Sequence, residues 1–240
     1  MKAEIVVEVR GLRKQYSMSS ERLDILSDAD ASARAGEFVV VMGPSGSGKT
    51  SLISMLAGLD TDYQGSIRID GLELNHLSKP ERVSLRSSLI GMVFQDHRLL
   101  PQLSALENVE APLYLRDFSA RERESRAADA LKLVSLGERM HHRPSQLSGG
   151  ERQRTAIARA LVGGAKVLLC DEPTGSLNRE MSHQIFKLLK ELCHRFGKTV
   201  VLTTHDSTAI KYADQLLLVE GGKLKAGIDH SGVAHAAASS

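Results

Sequence analysis

The chain has 240 residues, 42% of them hydrophobic and 25% charged, which suits one large folded core. Lysine and arginine total 31 against 29 aspartates and glutamates, and a net charge of +2 gives no support for a nucleic-acid partner. No apolar run approaches the roughly 18 residues of a membrane span, and the charged start "MKAEIVVEVR" does not resemble a signal peptide. We therefore expect a soluble, cytosolic protein.

Strands dominate the start of the chain and alternate with helices towards its end. Residues 1–35 are strand-rich, and a short β-branched strand then leads into a glycine-rich loop and a helix that ends near Gly58. Residues 65–74 predict a strand pair, and residues 78–161 are mostly helical by their apolar spacing. The last third predicts strands at 166–170, 199–204 and 215–221, and helices at 179–196 and 206–213. This alternation indicates parallel βαβ units with a helical block inserted into them.

The glycine-rich loop is the first motif with a specific chemistry. "GPSGSGKT", from Gly43 to Thr50, matches the Walker A pattern G-x-x-x-x-G-K-[ST] between a predicted strand and a predicted helix. Backbone N–H groups of such a loop converge on phosphate oxygens, and the helix dipole adds positive potential. Lys49 would neutralise the β- and γ-phosphates of a nucleotide, and Thr50 would bind Mg²⁺. The alternative is an ordinary turn rich in glycine and serine.

Two carboxylates, Asp171 and Glu172, end the apolar run that begins at Val167. The carboxyl end of a strand is where α/β proteins bind ligands. Successive strand residues point in opposite directions, so we expect the two acids to have different roles. Asp171 fits the Walker B acid that holds Mg²⁺, and Glu172 would orient or deprotonate the water that attacks the γ-phosphate. The alternative is a pair of solvated acids before Pro173.

Several other residues carry no functional prediction alone. A histidine that follows a predicted strand, such as His205, is most often a surface or capping residue. Gln95 ends an apolar run, and Tyr16 is compatible with an ordinary core aromatic. Cys170 is expected to be a small buried side chain, and neither it nor Cys193 fits a metal-ligand pattern.

A second glycine-containing motif, Gly149 and Gly150, follows Ser148 and begins a helical pattern. Ser148 and Glu151 fit a capping box, which by itself would indicate a well-started helix and nothing more. Two glycines also leave the backbone approachable, so this helix start is a candidate second anion site. The cap and the anion would use the same N–H groups. Two such sites in one small protein are needed only if both face the same phosphate.

Taken together, these residues closely resemble the ATP-binding subunits of ABC transporters over roughly residues 4–225. Seven motifs occur in order: the A-loop at Tyr16, Walker A at 43–50, the Q-loop at Gln95, the signature "LSGGERQR" at 147–154, Walker B at 167–172, the D-loop "SLN" at 176–178 and the H-loop at His205. The resemblance implies an α/β fold: a phosphate-loop NTPase (RecA-like) core with an N-terminal antiparallel β subdomain and an inserted α-helical subdomain.

The same resemblance implies domain boundaries. A single ABC ATPase domain would span residues 1–228, with its core and β subdomain at 1–95 and 158–228 and its helical subdomain at 96–157. The small polar tail, 229–240, is expected to be disordered.

The family further implies ATP and Mg²⁺ as cofactors and a head-to-tail dimer that clamps each ATP between Walker A of one copy and the signature of the other. The implied catalytic residues are Glu172, His205, Gln95 and Lys49. The implied metal ligands are Thr50, Gln95 and Asp171. The implied ATP contacts are Tyr16, Gly43, Pro44, Ser45, Gly46, Ser47, Gly48, Lys49, Thr50, Ser51, Ser148, Gly149, Gly150 and Asn178.

Individual roles follow from the same resemblance. Tyr16 would stack on adenine, His205 would hold the γ-phosphate, and Ser148 and Gly150 would touch the γ-phosphate bound by the partner copy. Gln95 would sense Mg²⁺ and an integral membrane permease, the second implied partner. The subunit is therefore expected at the inner face of the cytoplasmic membrane, where ATP hydrolysis drives transport or mechanical work.

Three stretches, at 57–71, 90–113 and 142–161, are similar to the branch that includes LolD, MacB and FtsE. Its members work with FtsX-like membrane proteins in lipoprotein release, macrolide and peptide export, or cell-division signalling. One departure stands out, because the branch usually has "GNLD" where this chain has "GSLN". Asn178 lacks the D-loop carboxylate, a change that bears on cross-dimer coupling or turnover rate.

Two other functions are alternatives. A non-transport ABC ATPase acting on DNA would carry a long coiled-coil or zinc insertion between Walker A and the signature, whereas that interval here has about a hundred residues and no cysteine pair. A regulatory subunit that binds ATP with weak hydrolysis is disfavoured by the presence of Glu172 and His205, whereas Asn178 leaves this alternative open.

Overall fold

The computed structural model describes residues 4–18 and 21–227. Its strands are β1 (Ile5–Met18), β2 (Glu21–Arg34), β3 (Phe38–Met42), β4 (Gln64–Ile69), β5 (Leu72–Glu73), β6 (Ile90–Phe94), β7 (Val167–Asp171), β8 (Thr199–Thr204), β9 (Gln215–Glu220) and β10 (Lys223–Ala226). Its helices are α1 (Lys49–Leu56), α2 (Lys79–Ser88), α3 (Ala105–Glu110), α4 (Ala120–Leu133), α5 (Gly149–Leu161) and α6 (Arg179–Phe196). The tail at 229–240 lies outside the described residues, so its disorder stays a prediction.

A six-stranded sheet in the order β10-β9-β3-β8-β7-β6 forms the centre of the fold. Strands β9, β3, β8, β7 and β6 are parallel, and β10 pairs antiparallel with β9. Strands β3 and β7 are almost wholly apolar, as is usual for strands covered on both faces. Because these strands are parallel, their carboxyl ends at Met42, Phe94, Asp171 and Thr204 lie along one edge of the sheet.

Alternate residues of the central strands supply two separate cores. Phe38 and Val40 of β3 belong to a core shared with α3, α4, α5 and α6, whereas Val39 and Val41 belong to a core shared with α1. The second core also contains side chains of a four-stranded antiparallel sheet, β2-β1-β4-β5. This sheet is the predicted N-terminal β subdomain, and α3, α4 and α5 pack on one another as the helical block.

Two elements differ from the sequence prediction. Residues 90–94 form β6, an edge strand, inside the stretch predicted to be mostly helical; a run of five residues is too short for its spacing to separate strand from helix. The helix predicted at 206–213 is a 3₁₀ helix, Ser207–Tyr212, which Asp206 caps by accepting a hydrogen bond from Thr208 N (2.8 Å). No helix in the described part of the chain is long and apolar enough to cross a membrane.

Candidate nucleotide-binding site

The loop between β3 and α1 folds the side chain of Lys49 back over its own backbone. The ammonium donates to the carbonyl oxygens of Gly43 (2.8 Å) and Pro44 (2.9 Å). The N-cap of α1 is Gly48, which has a φ of 98°, a left-handed conformation that glycine adopts at little cost, and makes no side-chain cap. The first N–H groups of α1 therefore have no capping side chain, and they remain available for an anion.

The same loop is closely packed on its inner side. A Cβ atom on Gly48 would lie 2.5 Å from Ile25 Cγ2, and one on Gly43 would lie 2.6 Å from Ser47 Oγ. Ser47 Oγ is buried, and it has no hydrogen-bond partner in residues 4–18 and 21–227. Residues 44–46 are exposed. The inner side of the loop thus has a fixed shape, while its tip faces solvent.

Asp171 accepts hydrogen bonds from two hydroxyl groups through one oxygen. Its Oδ1 lies 3.2 Å from Thr50 Oγ1 in the first turn of α1 and 2.8 Å from Thr203 Oγ1 in β8. Hydroxyl and carboxylate oxygens are ligands that Mg²⁺ prefers, so the Thr50–Asp171 pair fits that ion. Thr203 was not predicted from the sequence, although a hydroxyl residue near the end of a strand, two residues before His205, is a usable signal.

Glu172 turns away from Asp171 and has its own partners. Its backbone has a φ of 47°, an uncommon value for a residue other than glycine. Its Oε1 lies 3.7 Å from Lys49 Nζ, and its Oε2 lies 3.0 Å from His205 Nδ1. The His205 backbone N–H also donates to Oε2 (3.3 Å). The two adjacent acids therefore sit in different environments, one among hydroxyls and one between two nitrogen groups.

Gln95 follows β6 and packs against the D-loop. A Cβ atom on Gly175 would lie 2.8 Å from Gln95 Cδ, and Ser176 Oγ donates to the Gln95 carbonyl oxygen (3.4 Å). Asn178 begins α6 as its N-cap, and its Oδ1 accepts from Met181 N (2.9 Å). An aspartate fills this capping position about as well as asparagine. The departure at Asn178 therefore keeps the helix start intact.

A cleft of about 500 Å³ brings the Q-loop, the Walker B acid and the start of α5 to one opening. Its lining residues are Phe94, Gln95, Asp96, His97, Arg98, Gly149, Arg152, Asp171 and Ser176. The strand ends that carry Gln95 and Asp171 belong to neighbouring strands, β6 and β7, which explains why residues far apart in sequence meet here.

The signature helix α5 begins with a complete capping box. Ser148 Oγ accepts from Glu151 N (3.3 Å), and Ser148 N donates to Glu151 Oε2 (2.8 Å). The hydrogen bond from the Ser148 backbone is the main reason that the pKa of Glu151 lies below its usual value. The cap uses the N–H of Glu151. That an anion would use the same N–H groups as the cap stays a prediction. Among the described residues, the N–H groups of Gly149 and Gly150 have no hydrogen-bond partner.

Tyr16 stands beside the first turn of α1 and is 41% exposed. Its hydroxyl lies 3.3 Å from Ser51 Oγ and 3.5 Å from Asp60 Oδ2. The ring is therefore not a core aromatic. It lies next to the residue that follows Thr50, within the surroundings of the phosphate loop.

Arg159 of α5 makes a contact that no motif predicted. Its guanidinium donates to the carbonyl oxygens of His97 (2.6 Å) and Arg98, two successive residues with φ values of 60° and 46°. Left-handed backbone at adjacent residues other than glycine is strained, so it needs support of this kind. The segment after Gln95 is thereby tied to the signature helix. An arginine in a helix gives no sequence signal for such a role.

A phosphate loop that opens onto an uncapped helix start, beside two acids with separate partners, defines a phosphate-loop nucleotide-binding protein of the α/β class. The family model described as ABC transporter matches residues 26–175. The chain therefore belongs to the ABC transporter family, as an ATP-binding subunit.

Relatives cover nearly the whole chain. The uncharacterized ABC transporter ATP-binding protein MJ0796 of Methanocaldococcus jannaschii is 40% identical over 224 residues, which are 92% of this chain and 95% of that protein. The lipoprotein-releasing system ATP-binding protein LolD 2 of Caulobacter vibrioides is 40% identical over 220 residues, 92% of this chain and 96% of that protein. The macrolide export ATP-binding/permease protein MacB of Rhodopseudomonas palustris is 42% identical over 220 residues, 92% of this chain but 33% of MacB.

Solved structures agree with these sequence relatives. Two dimeric structures of MJ0796, one of them a post-hydrolysis state bound to ADP and Pi, match with a TM-score of 0.82 at 38% identity. Each match covers 91% of this chain and 96% of the other. The predicted family, its LolD and MacB branch and the ABC ATPase fold are confirmed.

Proposed function

We propose that two copies of this chain bind ATP head to tail, hydrolyse it, and thereby drive a conformational change in a membrane permease. The observation that carries the proposal is the position of Glu172. Its carboxylate lies between Lys49 (3.7 Å) and His205 (3.0 Å), beside the phosphate loop. A carboxylate next to the lysine of a phosphate loop is well situated to act on a water that attacks the γ-phosphate.

Binding would begin at the phosphate loop. The free N–H groups at the start of α1 would receive phosphate oxygens, and Lys49 would exchange the carbonyl oxygens of Gly43 and Pro44 for the β- and γ-phosphates. Thr50 and Asp171 are the residues that would hold Mg²⁺, with Gln95 in the same cleft as Asp171. When bound, Mg²⁺ supplies charge neutralisation of the phosphates.

Proton transfer would then depend on the two oxygens of Glu172. Its Oε2 is engaged by the ring and the backbone N–H of His205, so Oε1 is the oxygen left to accept the proton of the attacking water. The side chain of His205 is 70% exposed, which leaves its outer ring nitrogen accessible to the γ-phosphate. Lys49 Nζ lies 3.7 Å from the same Oε1, on the side of the phosphate loop.

The second copy is proposed because the signature is a separate anion site. No hydrogen bond or ion pair in residues 4–18 and 21–227 joins Ser148, Gly149 or Gly150 to the phosphate loop of the same chain. Ser148 and Gly150 would instead bind the γ-phosphate held by the partner copy. The dimeric structures of MJ0796, at 38% identity, support this arrangement.

The permease is proposed from the relatives. LolD is part of a lipoprotein-releasing system, and MacB is an ATP-binding/permease protein of which this chain spans about a third. We infer an FtsX-like or MacB-like membrane partner and a peripheral position on the inner face of the cytoplasmic membrane. Export, lipoprotein release and mechanical signalling are all compatible with that assembly.

The test of hydrolysis is Glu172→Gln, which keeps the shape of the side chain but removes the proton acceptor. We expect ATP to bind and the variant to accumulate as a closed dimer without turnover, measured by phosphate release and by size-exclusion chromatography with ATP. Glu180→Gln, an exposed acid in the first turn of α6, is the matched control. Near-parental hydrolysis by Glu172→Gln would remove Glu172 from its role as base.

The test of the second copy is Ser148→Arg, which places a bulky cation at the start of α5. We expect hydrolysis to fall strongly while a single chain still binds ATP. If ATP affinity disappears with the substitution, Ser148 belongs to the site of its own chain and the head-to-tail arrangement is wrong.

A further inference from the structure

Two lysines are buried in the described part of the chain, and only one of them lies in the phosphate loop. The other, Lys14, has a side chain that is 2% exposed. Its ammonium donates to Asp60 Oδ1 (3.1 Å), the Asp62 carbonyl oxygen (2.6 Å) and Asp62 Oδ2 (3.3 Å). A buried ammonium is costly unless its N–H groups have acceptors, and this one has three.

The charge state of Lys14 follows from these contacts. Burial lowers its pKa, but hydrogen bonds and opposite charges from Asp60 and Asp62 outweigh burial and raise the pKa above its ordinary value. Lys14 is therefore a fixed, fully charged group at neutral pH. Neither the motifs nor the proposed hydrolysis step uses it.

The ammonium of Lys14 lies over the ring of Tyr16. The distance from Nζ to the ring centre is 4.8 Å, which is within the range of a cation–π interaction. Asp60, which holds Lys14, also lies 3.5 Å from the Tyr16 hydroxyl. One ion pair thus contacts the ring at its face and at its hydroxyl group.

The ion pair also relates Tyr16 to helix α1. The Tyr16 hydroxyl lies 3.3 Å from Ser51 Oγ in the first turn of α1, and Asp60 follows the end of that helix. The Lys14–Asp60 contact therefore fixes the ring relative to the helix that begins at the phosphate loop. A base that stacks on Tyr16 has its distance from the phosphates set by the same contact.

We propose that Lys14 is a positioning residue for nucleotide binding: held by Asp60 and Asp62, it covers one face of Tyr16 and presents the other face to the base of ATP. The inference rests on the proposed function in one respect, the stacking of Tyr16 on the base. Lys14 acts through Tyr16 and does not itself contact the nucleotide. Because stacking tolerates different bases, the contribution of Lys14 is similar for ATP and GTP and absent for inorganic tripolyphosphate.

The experiment is a double-mutant cycle with Lys14→Met and Tyr16→Ala, read out by titration calorimetry with ATP, GTP and inorganic tripolyphosphate. We expect Lys14→Met to weaken the binding of ATP and GTP about tenfold, because the ring of Tyr16 would then have to be ordered when the base binds. Tripolyphosphate binding should be unchanged. The double variant should bind ATP no more weakly than Tyr16→Ala alone. Lys166→Met, which removes an exposed ion pair with Asp70 (2.6 Å), is the control and should bind like the parent.

Three outcomes would overturn the proposal: unchanged ATP affinity in Lys14→Met, an additive loss in the double variant, or an equal loss of tripolyphosphate binding. Unchanged ATP affinity in Tyr16→Ala would instead refute base stacking by Tyr16, and with it the role of Lys14. The test of hydrolysis at Glu172 is independent of that outcome. If Lys14→Met shows no cooperative thermal unfolding, Asp60→Asn replaces it. That variant weakens the anchor of Lys14 and should give a smaller loss in the same pattern; parental affinity for ATP would overturn the proposal.

Discussion

The ring of His205 and the carboxylate of Glu172 meet at 3.0 Å and join the ends of the neighbouring strands β8 and β7. The side chain of Glu172 is 16% exposed, whereas that of His205 is 70% exposed. The histidine therefore covers the acid from the solvent side. Its Nδ1 faces the acid, so its outer nitrogen remains for a ligand.

His205→Ala should slow hydrolysis far more than it weakens binding. The substitution removes the side chain that orients Glu172 and that would also contact the γ-phosphate. Removing one such group from an active site typically lowers turnover about a hundredfold. Steady-state phosphate release and ATP titration measure the two effects separately. His183→Ala is the control, because His183 forms a hydrogen bond with Tyr212 (2.9 Å) and, within residues 4–18 and 21–227, has no hydrogen bond or ion pair to a proposed site residue. Parental turnover in His205→Ala would contradict the proposed role.

Thr203→Val should raise the Mg²⁺ concentration needed for half-maximal hydrolysis. Valine has nearly the same shape, but it removes the hydroxyl that lies 2.8 Å from Asp171 Oδ1 and so leaves this carboxylate less well oriented. A Mg²⁺ titration of ATPase activity measures the shift. Thr204→Val is the matched control, because the Thr204 hydroxyl accepts from Asp206 N (3.0 Å) instead. Equal shifts in the two variants would argue against an effect through Asp171.

Gly48→Ala and Gly46→Ala should separate steric clash from backbone strain in the phosphate loop. Both glycines have left-handed φ values, 98° and 77°. A Cβ atom at Gly48 would meet Ile25, whereas one at Gly46 would meet no atom of the described residues within 4 Å. We expect Gly48→Ala to lower both the unfolding temperature and the ATP affinity much more than Gly46→Ala. Similar losses in both variants would show that backbone strain, and not the clash with Ile25, causes most of the damage.

Two substitutions at Asn178 separate its role as a helix cap from its role in the D-loop. Asn178→Ala should cost about 1 kcal/mol of folding free energy and lower the unfolding temperature by about 2–4 °C, because the cap to Met181 is lost. Asn178→Asp should keep the parental unfolding temperature. A change in the turnover of Asn178→Asp would then report on the carboxylate itself, and equal turnover would make this departure from the branch neutral.

Neither thiol should react in the native protein. Burial raises the pKa of Cys193 to about 12 and raises that of Cys170 as well, so neither forms a thiolate near neutral pH. A thiol-reactive dye should therefore titrate no cysteine before denaturation and both afterwards. Rapid labelling of native protein would show that α6 or β7 opens readily.

The sequence was informative where a motif needs a particular backbone. The phosphate loop requires glycine at positions such as Gly48, and strand β7 requires an apolar run before its acids, so both could be predicted. Contacts that join distant elements left no such trace. Lys14 and Asp60 stand 46 residues apart, and a lysine in a strand ordinarily indicates a solvated position. Arg159 likewise gives no sign in sequence that it holds the backbone after Gln95.

The free N–H groups of Gly149 and Gly150 bear on how the dimer would assemble. Because Ser148 and Glu151 complete the helix start on their own, the order of this surface is achieved when each subunit folds and not when two subunits meet. Binding of the partner copy would then cost little conformational entropy at the start of α5, since no segment there has to fold when the two copies meet. Each subunit would offer its neighbour a rigid receptor for the neighbour's ATP, and closure would depend on the nucleotide alone.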